Sequence, residues 1–240
     1  MIQDHRPYWL KRLDRKLEAW WTGHFVAPGF ESLGSHYQMM KPWNVVTYGS
    51  HIRAGNHLHV ITDRHRKVAL STWAVNDHQG HISIGNHVLI CPGCRFDSAS
   101  SITIGDNCMF AAGAYVTDAD WHDIYDRTEA VGITLPVVLK DNVWIGDGAK
   151  VCKGVTIGEN SVIGAGSIVA SDIPPNVIAA GNPARVIKPL DPDRELIRRE
   201  TIFRDPEALA QRIDDIEKYV MGGNTTLGWL RARFSPRRGD

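Results

Sequence analysis

Four cysteines in 240 residues are too few for a disulfide framework. No apolar run approaches the roughly 20 residues needed to cross a bilayer. Charge of one sign is absent as well. The 27 Lys and Arg balance the 27 Asp and Glu, which removes any chain-wide attraction to nucleic acid or acidic lipid. The first residues, MIQDHRPYWLKRL, lack the apolar stretch of a secretory signal. These absences lead us to expect a cytoplasmic protein with no nucleic-acid partner. The 43% of hydrophobic residues is ample for a sizeable core.

That hydrophobic content is ordered in sixes. From Leu139 the chain reads LKDNVW, IGDGAK, VCKGVT, IGENSV, IGAGSI, VASDIP. The first places are Leu139, Ile145, Val151, Ile157, Ile163 and Val169, all aliphatic. The fifth places are Val143, Ala149, Val155, Ser161, Ser167 and Ile173, all small or β-branched. A helix repeats every 3.6 residues and a plain strand every 2, so a period of six fits neither. It predicts short strands joined by tight turns and wound into a parallel β-helix. Ile84, Ile90, Phe96 and Ile102 keep the same spacing upstream. After a slip of two residues, Ile104, Phe110 and Val116 continue it.

Residues 117–138 break the period, and a long loop thrown out of a regular coil points to function. We expect three segments: a helical and irregular 1–50, a β-helix over 51–189 carrying the 117–138 excursion, and a helical tail over 190–240. Residues 35–73 read as irregular, with the first coils starting near Ile52. Residues 8–24 read as an amphipathic helix striped by Trp9, Leu13, Leu17 and Trp20, packed on the coil or resting on a membrane. Residues 192–221 read as helical, and the last dozen as loosely ordered.

Within the excursion, DADWHDIYDR (residues 118–127) gathers four carboxylates, one imidazole and two large aromatics. Taken alone it suits a metal site, a general-base site or a polar loop. Elsewhere, ICPGCRF contains a CxxC, but the repeat register places Cys94 and Cys108 in the small inward slot, where a free cysteine acts as a buried hydrophobe. No second CxxC completes a zinc site.

Residues 141–188, DNVWIGDGAKVCKGVTIGENSVIGAGSIVASDIPPNVIAAGNPARVIK, closely resemble the hexapeptide-repeat acyltransferases, among them the maltose, galactoside, xenobiotic and surface-polysaccharide acetyltransferases. The resemblance extends over residues 82–189. It implies a left-handed parallel β-helix, a homotrimer with active sites between subunits, and acetyl-CoA as cosubstrate without a metal. It places a catalytic histidine on the excursion loop, and His122 stands there, followed by Asp123 where the family has proline. By the same match, backbone N–H groups at Gly146 and Asp147 would meet the oxyanion. Trp144 and Ala165 would line the cofactor path, and Arg185, Lys188 and Lys153 would meet the CoA phosphates. Asp97 matches a position that touches the acceptor in galactoside-type relatives. Asp118, Asp120 and Trp121 are further acceptor candidates, an Asp serving to orient His122 or to bind the acceptor.

Imidazole titrates near about pH 6.5, which suits a general base at neutral pH. The expected reaction is direct transfer to a sugar or sugar-like hydroxyl or amine, without an acyl-enzyme. A xenobiotic or amino-acid acceptor, a non-catalytic scaffold, and a metalloenzyme of the gamma carbonic-anhydrase type are the alternatives. The last needs a histidine five residues before His122, where Thr117 stands.

Overall fold

The computed structural model describes residues 4–237. The chain divides into two compact units, Trp21–Glu200 and the pair of terminal segments Met1–Trp20 with Thr201–Asp240.

The larger unit is a left-handed parallel β-helix of three sheets. Each turn of the chain visits the first, second and third sheet in order, so each strand of the coil pairs with its counterpart one turn away. The hexad explains this register. Its first residue faces inward, and Ile90, Phe110, Ile145 and Ile163 stack in one column of the second sheet while Phe96, Val116, Val151 and Val169 do so in the third. These side chains are fully buried. At about 2–3 kcal/mol for each buried aliphatic side chain, this column is the main favourable term in the fold. Cys94 and Cys108 fill the small inward slots, and burial pushes both thiols up to about 12.

The strands begin earlier than the sequence indicates. Ser32–Leu33, Gln38–Met40 and Val45–Tyr48 already belong to the three sheets, so the coil starts inside the segment we expected to be irregular. Two features mask it. Ala54 takes a first place usually held by a larger aliphatic, and the loop at residues 62–67 separates Val60 from Leu70 by more than six. The two-residue slip after Phe96 also has a cause: Ala99 and Ser100 form an enlarged corner held by Asp118.

The corner between the first and second sheets carries a ladder the sequence reading missed. His36, His57, His87, Asn107, Asn142, Asn160 and Asn176 all have positive φ. Asparagine tolerates this conformation well among non-glycine residues. The three imidazoles stack at 5.0 Å, and the amides of Asn142, Asn160 and Asn176 form a hydrogen-bonded chain at 3.0 and 2.8 Å.

The smaller unit holds helices α1 (Tyr8–Trp21), α2 (Pro206–Met221) and α3 (Thr226–Phe234). Asp205 caps α2 through the Ala208 amide, ahead of Pro206, and Thr225 caps α3 through the Gly228 amide. Helix α3 lies where loose order was expected. The polar side of α1 pairs with α2, through Tyr8 and Arg15 to Asp214 and Arg15 to Glu217. The stripe of Trp9, Leu13, Leu17 and Trp20 is exposed. No helix among the described residues is long and apolar enough to cross a membrane.

Candidate active site

The excursion loop leaves the third sheet after Tyr115–Thr117 and returns to the first at Val137–Leu139. Its stem is a narrow antiparallel ladder. The Leu135 amide donates to the Asp118 carbonyl, the Asp120 amide to the Ile133 carbonyl, and the Gly132 amide to the Asp120 carbonyl, at 2.8–2.9 Å. A Cβ at Gly132 would lie 2.7 Å from the His122 carbonyl oxygen, so this glycine lets the strands of the stem meet behind His122. Ala99, Ala119 and Val131 form a small apolar cluster that seats the loop, with Val75 and Trp121 packed against it.

His122 is exposed, and its Nδ1 lies 3.2 Å from the Glu129 carbonyl oxygen. A carbonyl only accepts, so Nδ1 carries the hydrogen in this contact, and Nε2 is the ring nitrogen that can serve as a base.

The four carboxylates of the stretch separate into distinct roles. Asp118 is completely buried and accepts from Ser98 Oγ at 2.6 Å, the Ala99 amide at 2.8 Å and the Ser100 amide at 3.0 Å. It ties the loop to the enlarged corner. Its expected role in acceptor binding is therefore corrected, since no face of it reaches solvent. Asp123 accepts from the Tyr125 and Asp126 amides, and these bonds hold its carboxyl below the usual range. Asp126 does the same with Thr128. Asp120 pairs with Lys153 at 2.8 Å. Lys153 thus stands at the root of the excursion loop, away from the other residues expected to meet CoA.

Asp97 sits on the outer face of the third sheet, in a row Tyr48–Ser71–Asp97–Thr117 set by the strand register. It accepts from Ser71 Oγ at 2.5 Å and pairs with Arg95 Nε at 2.6 Å. The Arg95 guanidinium also lies over the Tyr115 ring, 4.2 Å from its centre. Trp121 leans onto the same face, its indole N–H donating to Thr117 Oγ1 at 3.1 Å and the Tyr115 hydroxyl at 3.3 Å. Asp97, Trp121 and His122 therefore gather at the third sheet and the corner that follows it.

The remaining candidates gather elsewhere. Trp144 is exposed on the second sheet, in a row with Val162, Ile178 and Lys188. Gly146, Asp147 and Ala165 lie at the corner after that sheet, where the Gly166 amide donates to the Asp147 carbonyl. Arg185 pairs with Ala180 in the final hairpin and is exposed. The Gly146 amide donates to the Ile163 carbonyl at 2.8 Å, so of the two amides expected to meet an oxyanion this one is already engaged. A Cβ there would lie 2.5 Å from the Ile163 oxygen, so glycine is needed for successive turns to approach. A cleft of about 470 Å³ opens beside Lys188, lined also by Ile178, Leu190, Arg194 and Leu196. Asp191 and Glu195 line it as well, so its rim carries both acids and cations. This group lies on the second sheet and the corner after it, whereas the group around His122 lies on the third sheet and the loop that leaves it.

Cysteine chemistry has little support here. Burial raises the Cys91 thiol, and all four cysteines are free. Among the described residues, no cluster of three His, Cys, Asp or Glu is arranged to hold a metal.

Comparison with known proteins supports the repeat fold. Residues 81–118 match the family model "Hexapeptide repeat of succinyl-transferase", and residues 136–171 match "Bacterial transferase hexapeptide (six repeats)". The excursion loop falls between the two. The Staphylococcus aureus (strain Mu50) protein "Putative acetyltransferase SAV2555" is 37% identical over 138 residues, 56% of this chain and 69% of that protein. Galactoside O-acetyltransferase of Escherichia coli (strain K12) is 45% identical over 97 residues, 40% of this chain and 47% of that enzyme. The structure of AntD, an N-acyltransferase from Bacillus cereus, in complex with dTDP and 3-hydroxybutyryl-CoA, superposes with a TM-score of 0.56 at 21% identity. That alignment covers 80% of this chain and 96% of AntD, and speaks to the fold alone. The chain spans about half the length of several curated relatives it matches. With the repeat, the coil and a relative covered over more than two thirds of its length, the chain belongs to the hexapeptide-repeat acyltransferase family.

Proposed function

We propose that the chain is an acetyl-CoA-dependent acetyltransferase acting on a hydroxyl or amine of a sugar-type acceptor, with His122 as general base. The observation that carries this reading is the solvent-facing imidazole on the excursion loop, with Nδ1 tied to the Glu129 carbonyl and Nε2 left basic. His122 Nε2 takes the acceptor's proton as the acceptor oxygen or nitrogen attacks the thioester carbonyl. The carbon–sulfur bond breaks as the tetrahedral species collapses, and His122 returns the proton to the departing thiol. No covalent acyl-enzyme is needed: Cys94 and Cys108 are buried, and burial raises the half-buried Cys91 thiol. The named galactoside O-acetyltransferase relative supports a sugar acceptor.

A homotrimer belongs to the same proposal. The His122 group and the Trp144–Lys188 group lie on different faces of one coil, so a site formed between neighbouring copies, one lending each group, accounts for both.

The test is a screen of amino sugars, nucleotide-linked sugars and simple glycosides with acetyl-CoA, read by thiol release. An active acceptor is expected, and His122→Ala is expected to lower turnover on it about 10²–10⁴-fold with CoA affinity retained. Undiminished turnover in that variant would refute the assignment.

A further inference from the structure

The outer face of the third sheet holds more than Asp97 and Trp121. Two further aromatics, Tyr48 and Trp73, come from segments with no assigned role, and both are exposed. The Trp73 indole N–H donates to Ser71 Oγ at 3.1 Å. Its ring lies 4.9 Å from that of Tyr48 and meets Trp121 edge-on at 5.8 Å. Both indoles are thus anchored by their N–H groups to hydroxyls of the sheet, and their rings stand beside the row Ser71–Asp97–Thr117.

The chemistry of this row favours a neutral polyhydroxylated ligand. Asp97 has two oxygens and about four acceptor positions. Ser71 and Arg95 occupy two of them, which leaves acceptors for ligand hydroxyls. Arg95, the cation beside this row, is already engaged by Asp97 and Tyr115, and Lys150 lies one strand further on beside Tyr115, so the Asp97 carboxylate is the charge nearest the row's hydroxyls. Aromatic faces beside a carboxylate suit a pyranose, whose C–H face is apolar and whose rim is polar.

Length then distinguishes one sugar ring from two. Tyr48 and Thr117 lie three strand spacings apart, about 14 Å at ~4.8 Å per strand. One pyranose fills less than half of that. We infer that Tyr48 and Trp73 form a distal carbohydrate subsite, so that the acceptor is at least a disaccharide, its reacting ring near Asp97, Trp121 and His122 and its second ring against Tyr48 and Trp73. This rests on the acceptor reading above and deepens it.

The experiment is equilibrium binding by saturation-transfer NMR and calorimetry to the full chain. The probes are methyl glucoside, methyl galactoside and methyl N-acetylglucosaminide, each beside a matching disaccharide, with maltose and lactose in the panel. At least one disaccharide is expected to bind roughly tenfold more tightly than its monosaccharide. Tyr48→Ala and Trp73→Ala are expected to remove that advantage while monosaccharide binding persists, and Trp73→Phe to keep most of it. Tyr48 lies on the surface, so its variant tests the subsite even where loss of Trp73 loosens the neighbouring hairpin. Equal affinity for both lengths, or an advantage that survives both alanine variants, overturns the subsite. Absence of any carbohydrate binding also overturns it. If thiol release on a non-sugar acceptor then continues, the acetyl-transfer reading stands without the subsite.

Discussion

At the scale of single residues, burial sorts the carboxylates that composition groups together. Asp118, Asp120, Asp123 and Asp126 look alike in DADWHDIYDR, yet one anchors the loop, one pairs with Lys153 and two shape turns. Asp118→Ala would leave the Ser98 hydroxyl and two amides without their buried acceptor. We expect it to cost about 3 kcal/mol, seen as a lowered denaturant midpoint. Unchanged stability with lost acceptor affinity would show that Asp118 binds ligand instead. The candidate base was legible in the sequence because it is the one histidine of a loop that interrupts a regular period. The roles of its acidic neighbours were not, because they depend on which oxygen meets which amide across the loop stem. The row around Asp97 was within reach: Arg95 and Asp97 flank inward Phe96 as Tyr115 and Thr117 flank inward Val116, so the register alone puts them side by side.

At the scale of elements, the hexads were legible from Ile84 onward because each coil fills the same inward positions with aliphatics. The first coils were hidden where Ala54 and the loop at 62–67 blurred the pattern. The ladder at the corner between the first and second sheets shows the same position filled by two chemistries, histidine in the upper coils and asparagine in the lower. Burial, with neighbouring His87 and His36, holds His57 below the ordinary imidazole range, and burial does the same to His59. Such histidines bind more protons unfolded than folded. Stability should therefore rise with pH across the window from their depressed folded values up to about 6.5, and level off above it. His57→Asn places in this slot the residue that the lower coils already use. We expect it to flatten the acid side of the stability–pH curve while leaving stability near pH 8 almost unchanged. An unaltered curve would remove His57 from the acid response.

At the scale of the whole molecule, the His122 group and the Trp144–Lys188 group, proposed as the two halves of a transfer site, lie on separate faces of one coil. The sequence marked residues of both halves through family resemblance, but their separation emerges only when strands one turn apart are stacked. Neighbouring copies are proposed to complete the site, and mixing two inactive subunits tests this. His122→Ala lacks the base, and the double variant Arg185→Ala/Lys188→Ala weakens the cofactor side. Each is expected to show little thiol release at limiting acetyl-CoA. Co-assembled in equal amounts, they should regain about a quarter of wild-type turnover, because random assembly pairs two intact halves in that share of sites. Turnover no greater than the average of the two variants alone would contradict a shared site.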